Sequence, residues 1–214
     1  MHENDQRTRT RLYVEEQLGA PMLRLDAGRT HYLRHVLRLG RGALVAVFNP
    51  REGEYAARIE DYGKGWCTLA LEARRRAPEP QSEDKPESDL WLAFAPIKRA
   101  RLDFLVEKAT ELGVTALWPV LTRHTAVQRV NVQRMRTIAT EAAEQSERLS
   151  VPEIRPAVAL DALTADWPAQ RRLLVCDETG AGVALADVLR DGDAARGPHA
   201  ILTGPEGGFA AGEL

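Results

Sequence analysis

The chain has 214 residues, 44% of them hydrophobic and 28% charged, with a net charge of −2 at pH 7. These values are ordinary for a soluble globular protein of one large domain or two small ones. No uninterrupted apolar run could span a bilayer, and the polar N-terminus lacks the apolar core of a secretory signal. The cysteines, Cys67 and Cys176, are far apart and lack metal-ligand spacing. We therefore predict a cytoplasmic protein without a bound metal.

The charge is unevenly distributed along the chain. Residues 1–76 contain fourteen Lys and Arg against ten Asp and Glu, whereas the remainder contains 15 against 21. Thirteen of the fourteen early cations are arginine, whose planar guanidinium suits phosphate better than the lysine ammonium does. The first part is therefore a candidate nucleic-acid surface, and the alternative is a solvated, arginine-biased surface.

Short strands separated by tight turns are predicted in the first third of the chain. Thr30 to Arg38 favours a short helix that places His31, Arg34, His35 and Arg38 at helical spacing. The pattern indicates a small β-barrel-like domain over residues 1–73, followed by a proline-rich, charged linker over 74–88. The predicted strands are 11–14, 43–48, 54–59 and 66–71.

The remaining residues, 89–214, alternate continuous apolar strands with amphipathic helices. This pattern is typical of an α/β domain with a mostly parallel sheet. The predicted strands are 90–94, 114–120, 173–176 and 200–202, and the predicted helices are 102–112, 132–149 and 184–189.

Polar segments follow four of these strands, at the end of a parallel sheet where ligands gather. The most distinctive segment is Thr203-Gly204-Pro205-Glu206-Gly207-Gly208, which we call the glycine loop. It lacks the Lys-Ser/Thr ending of a P-loop and is not a GxGxxG fingerprint. It favours a nucleotide-like ligand without a triphosphate, held by backbone groups, and the alternative is a tight turn. The other three segments are 95–98, 122–124 and 177–180.

Further candidate residues lie on the predicted helices and strand ends. Glu141, Gln145 and Arg148, at i, i+4 and i+7, would share one face of the helix predicted over 132–149. They could bind a base edge and a phosphate, or form an ordinary solvated face. Lys98, at a strand end, would face the ligand crevice. Patterns of serine hydrolases and zinc proteases are absent from the sequence, and no partners at metal-ligand spacing accompany His31, His35 or His124.

Five motifs, taken together and in order, are similar to those of one known family. The chain resembles the RsmE-type 16S ribosomal RNA methyltransferases of the SPOUT class, which methylate N3 of a uridine. The resemblance covers nearly the whole chain. The motifs lie at 31–39, 98–114, 119–125, 141–148 and 204–209.

The resemblance implies an α/β protein with an N-terminal PUA-like RNA-binding domain and a C-terminal SPOUT domain with a trefoil knot. It also implies S-adenosyl-L-methionine as cofactor, 16S ribosomal RNA or the small ribosomal subunit as substrate, and a homodimer. By motif matching, the cofactor residues are Glu178, Thr179, Leu202, Gly204, Glu206 and Gly207. The residues facing RNA or the target uridine are Lys98, Arg123, Gln145 and Arg148, and those binding RNA phosphates are Arg9, Arg11, Arg34 and Arg38.

Methyl transfer to uridine N3 requires positioning and removal of the N3 proton. We hypothesise that Arg123 or Arg148 stabilises the resulting anion; no general base is evident. Two alternatives remain open: a SPOUT methyltransferase acting on another RNA, and a non-catalytic RNA-binding dimer. The family pattern continues beyond Leu214, so we expect an incomplete knot and weak or no cofactor binding by the 214-residue chain.

Overall fold

A computed structural model describes residues 8–78, 89–177, 179–180, 182–190 and 197–214. The described chain divides into two compact units. The first unit contains the described residues up to position 78 together with Ala143–Ser150. The second unit contains the described residues of 89–142 and 151–214.

The first unit contains a five-stranded sheet in the order β1-β3-β4-β5-β2. Strand β1 runs parallel to β3, and the other neighbouring pairs are antiparallel. Alternate apolar side chains of these strands pack into one buried core, which includes Leu25, Val47 and Leu69. The strands are β1 (Arg11–Tyr13), β2 (Met22–Leu25), β3 (Leu44–Asn49), β4 (Gly53–Gly63) and β5 (Trp66–Arg76).

A short helix lies between β2 and β3, where one was predicted. Helix α1 spans Ala27–His31 and continues as a π-helical segment over Tyr32–Val36. The carboxylate of Asp26 caps α1 by accepting the N–H of Arg29 at 2.9 Å, which satisfies one of the free N–H groups of the first turn. Buried Leu33 packs into the core of the first unit.

The second unit contains a parallel sheet in the order β10-β11-β6-β7-β8, and β9 pairs with β7. The predicted α/β class with a parallel sheet is confirmed. Its strands are β6 (Leu90–Phe94), β7 (Ala116–Leu121), β8 (Glu153–Ile154), β9 (Val158–Ala159), β10 (Arg172–Cys176) and β11 (His199–Thr203).

Two apolar clusters lie within the second unit. One contains Phe94, Val106 and Met135, and the other contains Leu163 and Leu202. Side chains alternate between the two faces of a strand, so neighbouring residues of β6 contribute to different clusters. The helices that accompany the strands are α2 (Arg99–Glu111), α3 (Val132–Gln145), α4 (Leu160–Ala165) and α5 (Leu185–Arg190).

The predicted extent of the long helix is wrong at its C-terminal end. Helix α3 ends at Gln145 rather than Leu149, and Glu147 adopts a left-handed conformation with φ of 60°. A non-glycine residue in that conformation does not continue a right-handed helix. Arg148 therefore lies beyond the helix, and the helical i, i+4, i+7 spacing does not place it beside Gln145.

Candidate functional site

The carboxyl ends of four strands meet at one edge of the parallel sheet. Cys176 pairs with Thr203, Thr203 with Phe94, and Phe94 with Pro119. The segments that follow β10, β11 and β6 therefore leave the sheet at the same level, and β7 ends two residues later. This edge is the position at which open parallel sheets bind their ligands.

The glycine loop leaves β11 and turns sharply. The N–H of Gly208 donates to the carbonyl of Pro205 at 3.0 Å, and Gly208 has a φ of 71°, a conformation that favours glycine. A Cβ on Gly204 would lie 2.8 Å from the Phe209 ring. The ring of Phe209 therefore packs directly against the backbone of Gly204, which holds the loop in a compact form.

Hydrogen bonds connect this loop to the segment that follows β7. The Nδ1 atom of His124 lies 3.2 Å from the carbonyl oxygen of Gly208. The Glu213 carboxylate accepts the N–H of Arg123 at 2.8 Å and that of Ala210 at 2.7 Å. Although burial acts to raise it, the pKa of Glu213 is lowered because these two N–H groups donate to its charged form. Glu213 thus orders both segments, and no sequence motif marked it.

A second connection joins the loop to the start of α2. Exposed Glu206 pairs with Arg101 at 2.6 Å, and the N–H of Ala95 donates to the carbonyl of Thr203 at 2.9 Å. The loop, the start of α2 and the segment after β7 therefore surround one edge of the sheet.

The predicted cofactor residues occupy different positions at this edge. Leu202 is 1% exposed and lies in β11 between two paired strands, so it is buried beneath the loop rather than open to a ligand. Gly204 and Glu206 lie in the loop as described, and a Cβ on Gly207 would meet the Cβ of His124 at 3.8 Å, an ordinary contact. Exposed Thr179 donates to the Asp177 carboxylate from its hydroxyl at 2.6 Å and its N–H at 2.9 Å. Glu178 lies outside the described residues.

Two predicted RNA-facing residues lie at the same edge. Exposed Lys98 begins α2, and its carbonyl accepts the N–H groups of Arg101 and Leu102. Arg123 is exposed, and its backbone is held by Glu213. Hydrogen bonds thus hold the backbone of Lys98 and Arg123 in place, while both side chains are exposed to solvent.

The remaining predicted RNA-facing residues belong to the first unit. Gln145 is exposed at the end of α3. Arg148 is half-buried, and its Nη2 donates to the Ser150 hydroxyl at 3.1 Å. Arg9 and Arg38 are exposed, as is Arg34, whose guanidinium lies 5.4 Å from the centroid of the Tyr62 ring.

Arg11, also predicted to bind phosphate, has a different environment. Its side chain is only 12% exposed and pairs with Glu54. It also donates to the carbonyls of Ala143, Glu144 and Arg148. Its donors are occupied within the protein, so the structure gives Arg11 a structural role rather than the predicted contact with RNA.

Metal sites and membrane spans are other features that the described part of the chain could contain. Within it, no group of three or more His, Cys, Asp or Glu is placed to hold a metal ion. No helix among the described residues is long and apolar enough to cross a membrane.

Family models match both parts of the chain. Residues 83–214 match an RNA methyltransferase domain, and residues 25–72 match an RNA methyltransferase PUA domain. The parallel sheet with its glycine loop and the preceding β-unit are thus those of an RNA methyltransferase with a PUA domain.

Curated relatives narrow this class. The ribosomal RNA small subunit methyltransferase E of Rickettsia conorii is 32% identical over 95% of this chain and 81% of its own length. That of Synechocystis is 29% identical over 93% of this chain and 64% of its own length. The chain belongs to the ribosomal RNA small subunit methyltransferase E family.

Solved structures show the same fold. The family member from Neisseria gonorrhoeae, bound to S-adenosyl methionine, has a TM-score of 0.78 at 24% identity, covering 95% of this chain and 82% of its own. A putative methyltransferase from Legionella pneumophila, in complex with the bound cofactor SAM, has a TM-score of 0.77 at 25% identity, covering 97% of this chain and 84% of its own.

Proposed function

We propose that this protein transfers a methyl group from S-adenosylmethionine to N3 of a uridine in small-subunit (16S) ribosomal RNA. The observation that carries the proposal is the glycine loop at the carboxyl edge of a parallel sheet. It occurs in a chain whose matched domain is an RNA methyltransferase. The cofactor and the RNA class are those in the descriptions of the relatives.

The residues at this edge suit an adenosyl cofactor. The loop contains no lysine or arginine, and Gly204, Gly207 and Gly208 leave its backbone groups free of side-chain obstruction. An adenosine with an amino-acid tail lacks a phosphate, so backbone N–H and C=O groups together with carboxylates are suitable partners. We assign the cofactor to the loop and to Thr179, and buried Leu202 supports the loop from the end of β11.

When bound, S-adenosylmethionine supplies an electrophilic methyl group. Formation of the N3–carbon bond would break the sulfur–carbon bond and leave S-adenosylhomocysteine, and the N3 proton would pass to solvent. A guanidinium near the bound uridine can stabilise the negative charge that develops on the uracil ring. Arg123 is our candidate in the second unit, and Arg148 is the candidate in the first.

The test uses small subunits from a strain that lacks the corresponding methyltransferase. We expect the wild-type protein and S-adenosylmethionine to produce 3-methyluridine, measured by nucleoside mass spectrometry. Arg123→Ala and Arg148→Ala should lower kcat if each side chain stabilises the transition state. Arg172→Ala is the matched control. Exposed Arg172 is the first residue of β10, so it lies at the amino-terminal ends of the strands, away from the glycine loop.

Two other functions give different results in that experiment. A SPOUT methyltransferase with another substrate would leave small subunits unmodified but would methylate a different RNA fraction. A non-catalytic RNA-binding dimer would bind RNA without consuming S-adenosylmethionine. Wild-type protein that binds small subunits but methylates no RNA would refute the proposed reaction.

We also propose that the protein acts as a homodimer in the cytoplasm. Apolar side chains on the edge strand β10 and on α5 support the dimer, since Val175 is 39%, Leu185 40% and Leu189 46% exposed. Analytical ultracentrifugation should give twice the mass of one chain. A Leu185→Glu/Leu189→Glu double variant should be monomeric, and a monomeric wild-type protein would contradict the proposal.

A further inference from the structure

A pocket separate from the glycine loop lies in the second unit, at the N-terminal ends of α2 and α3. Its volume is about 270 Å³. Its apolar lining includes Ile97 before α2, Leu102 on α2 and Met135 on α3. Leu102 and Met135 are 8% and 2% exposed, so the floor of the pocket is part of the core and its shape is fixed. We call it the α2–α3 pocket.

Three guanidinium groups also line the α2–α3 pocket. Arg134 is committed to Asp103, to which it donates two hydrogen bonds of 2.9 and 2.6 Å. Arg99 and Arg129 are exposed, and neither side chain makes a hydrogen bond or a short ion pair with the residues that the structure describes, although the charge of Arg99 also helps to lower the pKa of the Asp103 carboxyl. Two cations are therefore available to a ligand at the rim of an apolar cavity.

This combination is unusual in its surroundings. The chain from residue 77 onwards has 15 Lys and Arg against 21 Asp and Glu, yet three arginines and one carboxylate line this pocket. A ligand matched to it has a flat apolar part and an adjacent negative charge. An unstacked nucleotide of single-stranded RNA has both, since its base can pack on apolar side chains and its phosphate binds arginine.

Helix α2 contributes side chains to both the pocket and the glycine loop. Arg99 lines the pocket, and Arg101 pairs with Glu206 of the loop. The two sites therefore share one helix, although residues two positions apart point to different sides of it.

We propose that the α2–α3 pocket binds a nucleotide of the substrate RNA next to the methylated uridine, with its base on Ile97, Leu102 and Met135 and its phosphate on Arg99 and Arg129. This inference rests on the proposed function. The pocket then acts in substrate positioning, and it contacts neither the cofactor nor the methylated base.

The first test measures the binding of a single-stranded oligoribonucleotide, with the sequence around the methylated uridine, by fluorescence anisotropy. For Arg99→Ala/Arg129→Ala we expect about tenfold weaker binding and a salt slope reduced by about 0.7, the value for one lost phosphate contact to a single strand. Arg136→Ala/Arg172→Ala is the matched control, because it removes the same charge from exposed positions outside the pocket. Equal losses in the two double variants would overturn the proposal.

The second test concerns the base. Oligonucleotides with a single abasic position should bind wild-type protein more weakly at one site next to the uridine. The Ile97→Ser variant should lose affinity for intact RNA but show no further loss with that abasic oligonucleotide. If the losses of affinity from Ile97→Ser and from the abasic position simply add, the placement of the base is overturned. Thermal melting establishes that each variant is folded.

Outcomes for the pocket and for the proposed reaction are separable. If RNA binding depends on Arg99 and Arg129 but no RNA is methylated, the pocket stands and the reaction fails. If 3-methyluridine forms with unchanged KM in the Arg99→Ala/Arg129→Ala variant, the reaction stands and the pocket fails. Polyglutamate that binds in an Arg99- and Arg129-dependent manner, with RNA binding unaffected, would instead identify an acidic peptide site and overturn the proposal.

Discussion

The guanidinium of Arg11 lies 2.8 Å from the carboxylate of Glu54, and these side chains are 12% and 7% exposed. The same guanidinium lies 4.1 Å from the centroid of the Phe48 ring and donates to the carbonyls of Ala143, Glu144 and Arg148. These carbonyls lie at the C-terminal end of α3 and just beyond it, where backbone acceptors lack helical partners. Arg11 therefore holds the segment that carries two candidate RNA residues, Gln145 and Arg148.

We expect Arg11→Ala to destabilise the first unit by about 3–5 kcal/mol, because it leaves the Glu54 carboxylate buried without its cation. Urea unfolding followed by the fluorescence of Trp66, in a background in which the other three tryptophans are replaced by phenylalanine, measures this change. Arg9→Ala removes an exposed arginine of the same unit and should change the stability by less than about 0.5 kcal/mol. A similar small effect of Arg11→Ala would show that the ion pair contributes little.

Gly204→Ala should destabilise the second unit by about 1–3 kcal/mol, because overpacking forces neighbouring groups to move. The new Cβ would lie 2.8 Å from the Phe209 ring. The double variant Gly204→Ala/Phe209→Leu should recover part of the loss. Gly182→Ala is the control, since no atom lies within 4 Å of its Cβ position. Isothermal titration of each variant with S-adenosylmethionine tests whether the shape of the loop also governs cofactor binding.

Asp103→Asn should weaken the second unit at pH 7. Arg134 donates to Asp103 and lowers the pKa of that carboxyl, although burial acts in the opposite direction. A lowered folded-state pKa stabilises the protein above the unfolded value of about 3.9, and this contribution is lost as the pH falls through the lower folded value. Both side chains of the pair are partly exposed, so we expect the free energy of unfolding of the variant to be about 0.2–1 kcal/mol below that of the wild-type protein. Urea titrations at pH 7 and pH 2.5 should show that this difference in the free energy of unfolding shrinks in acid.

The two cysteines should differ in reactivity. Cys67 is fully buried, and this burial, with a smaller effect from Asp61, raises the pKa of its thiol to about 11. Cys176 is exposed. A thiol reagent at pH 8 should therefore modify one cysteine in the native protein and two after unfolding, and Cys176→Ser should abolish the native reaction. Fast modification of both thiols would contradict the buried position of Cys67.

The raised pKa of the Cys67 thiol also predicts a loss of stability in alkali. The neutral, buried thiol contributes its full stabilisation below the unfolded pKa of about 8.5. This stabilisation is lost as the pH rises towards the folded-state pKa of about 11. We expect Cys67→Ala to be less stable at pH 7 but to lose less stability between pH 8.5 and 11. Parallel slopes for the two proteins over this range would exclude Cys67 as the source.

Most strands, most helices and the glycine loop were predictable because their signals are local. Apolar runs such as 90–94 and 43–48 identify strands by composition, and glycine and proline mark the turns between them. Strands β2, β8 and β9 and helix α4 were not predicted. Segments of two to six residues have too little periodicity to identify them; they form because a neighbouring strand or the core accepts their polar and apolar groups.

The sequence by itself determined the α/β class, the position of the glycine loop and the family resemblance, since each depends on neighbouring residues or on ordered motifs. Only the tertiary structure decided what the individual charged groups do. Arg11 contacts a carbonyl 132 positions away, and Glu213 holds the backbone of Arg123 across 90 positions. The structure likewise separated Arg99 and Arg129, at the rim of a pocket, from Arg134, which is paired. The physical reason is that the partner of a charge is selected by packing in three dimensions, which local spacing does not encode.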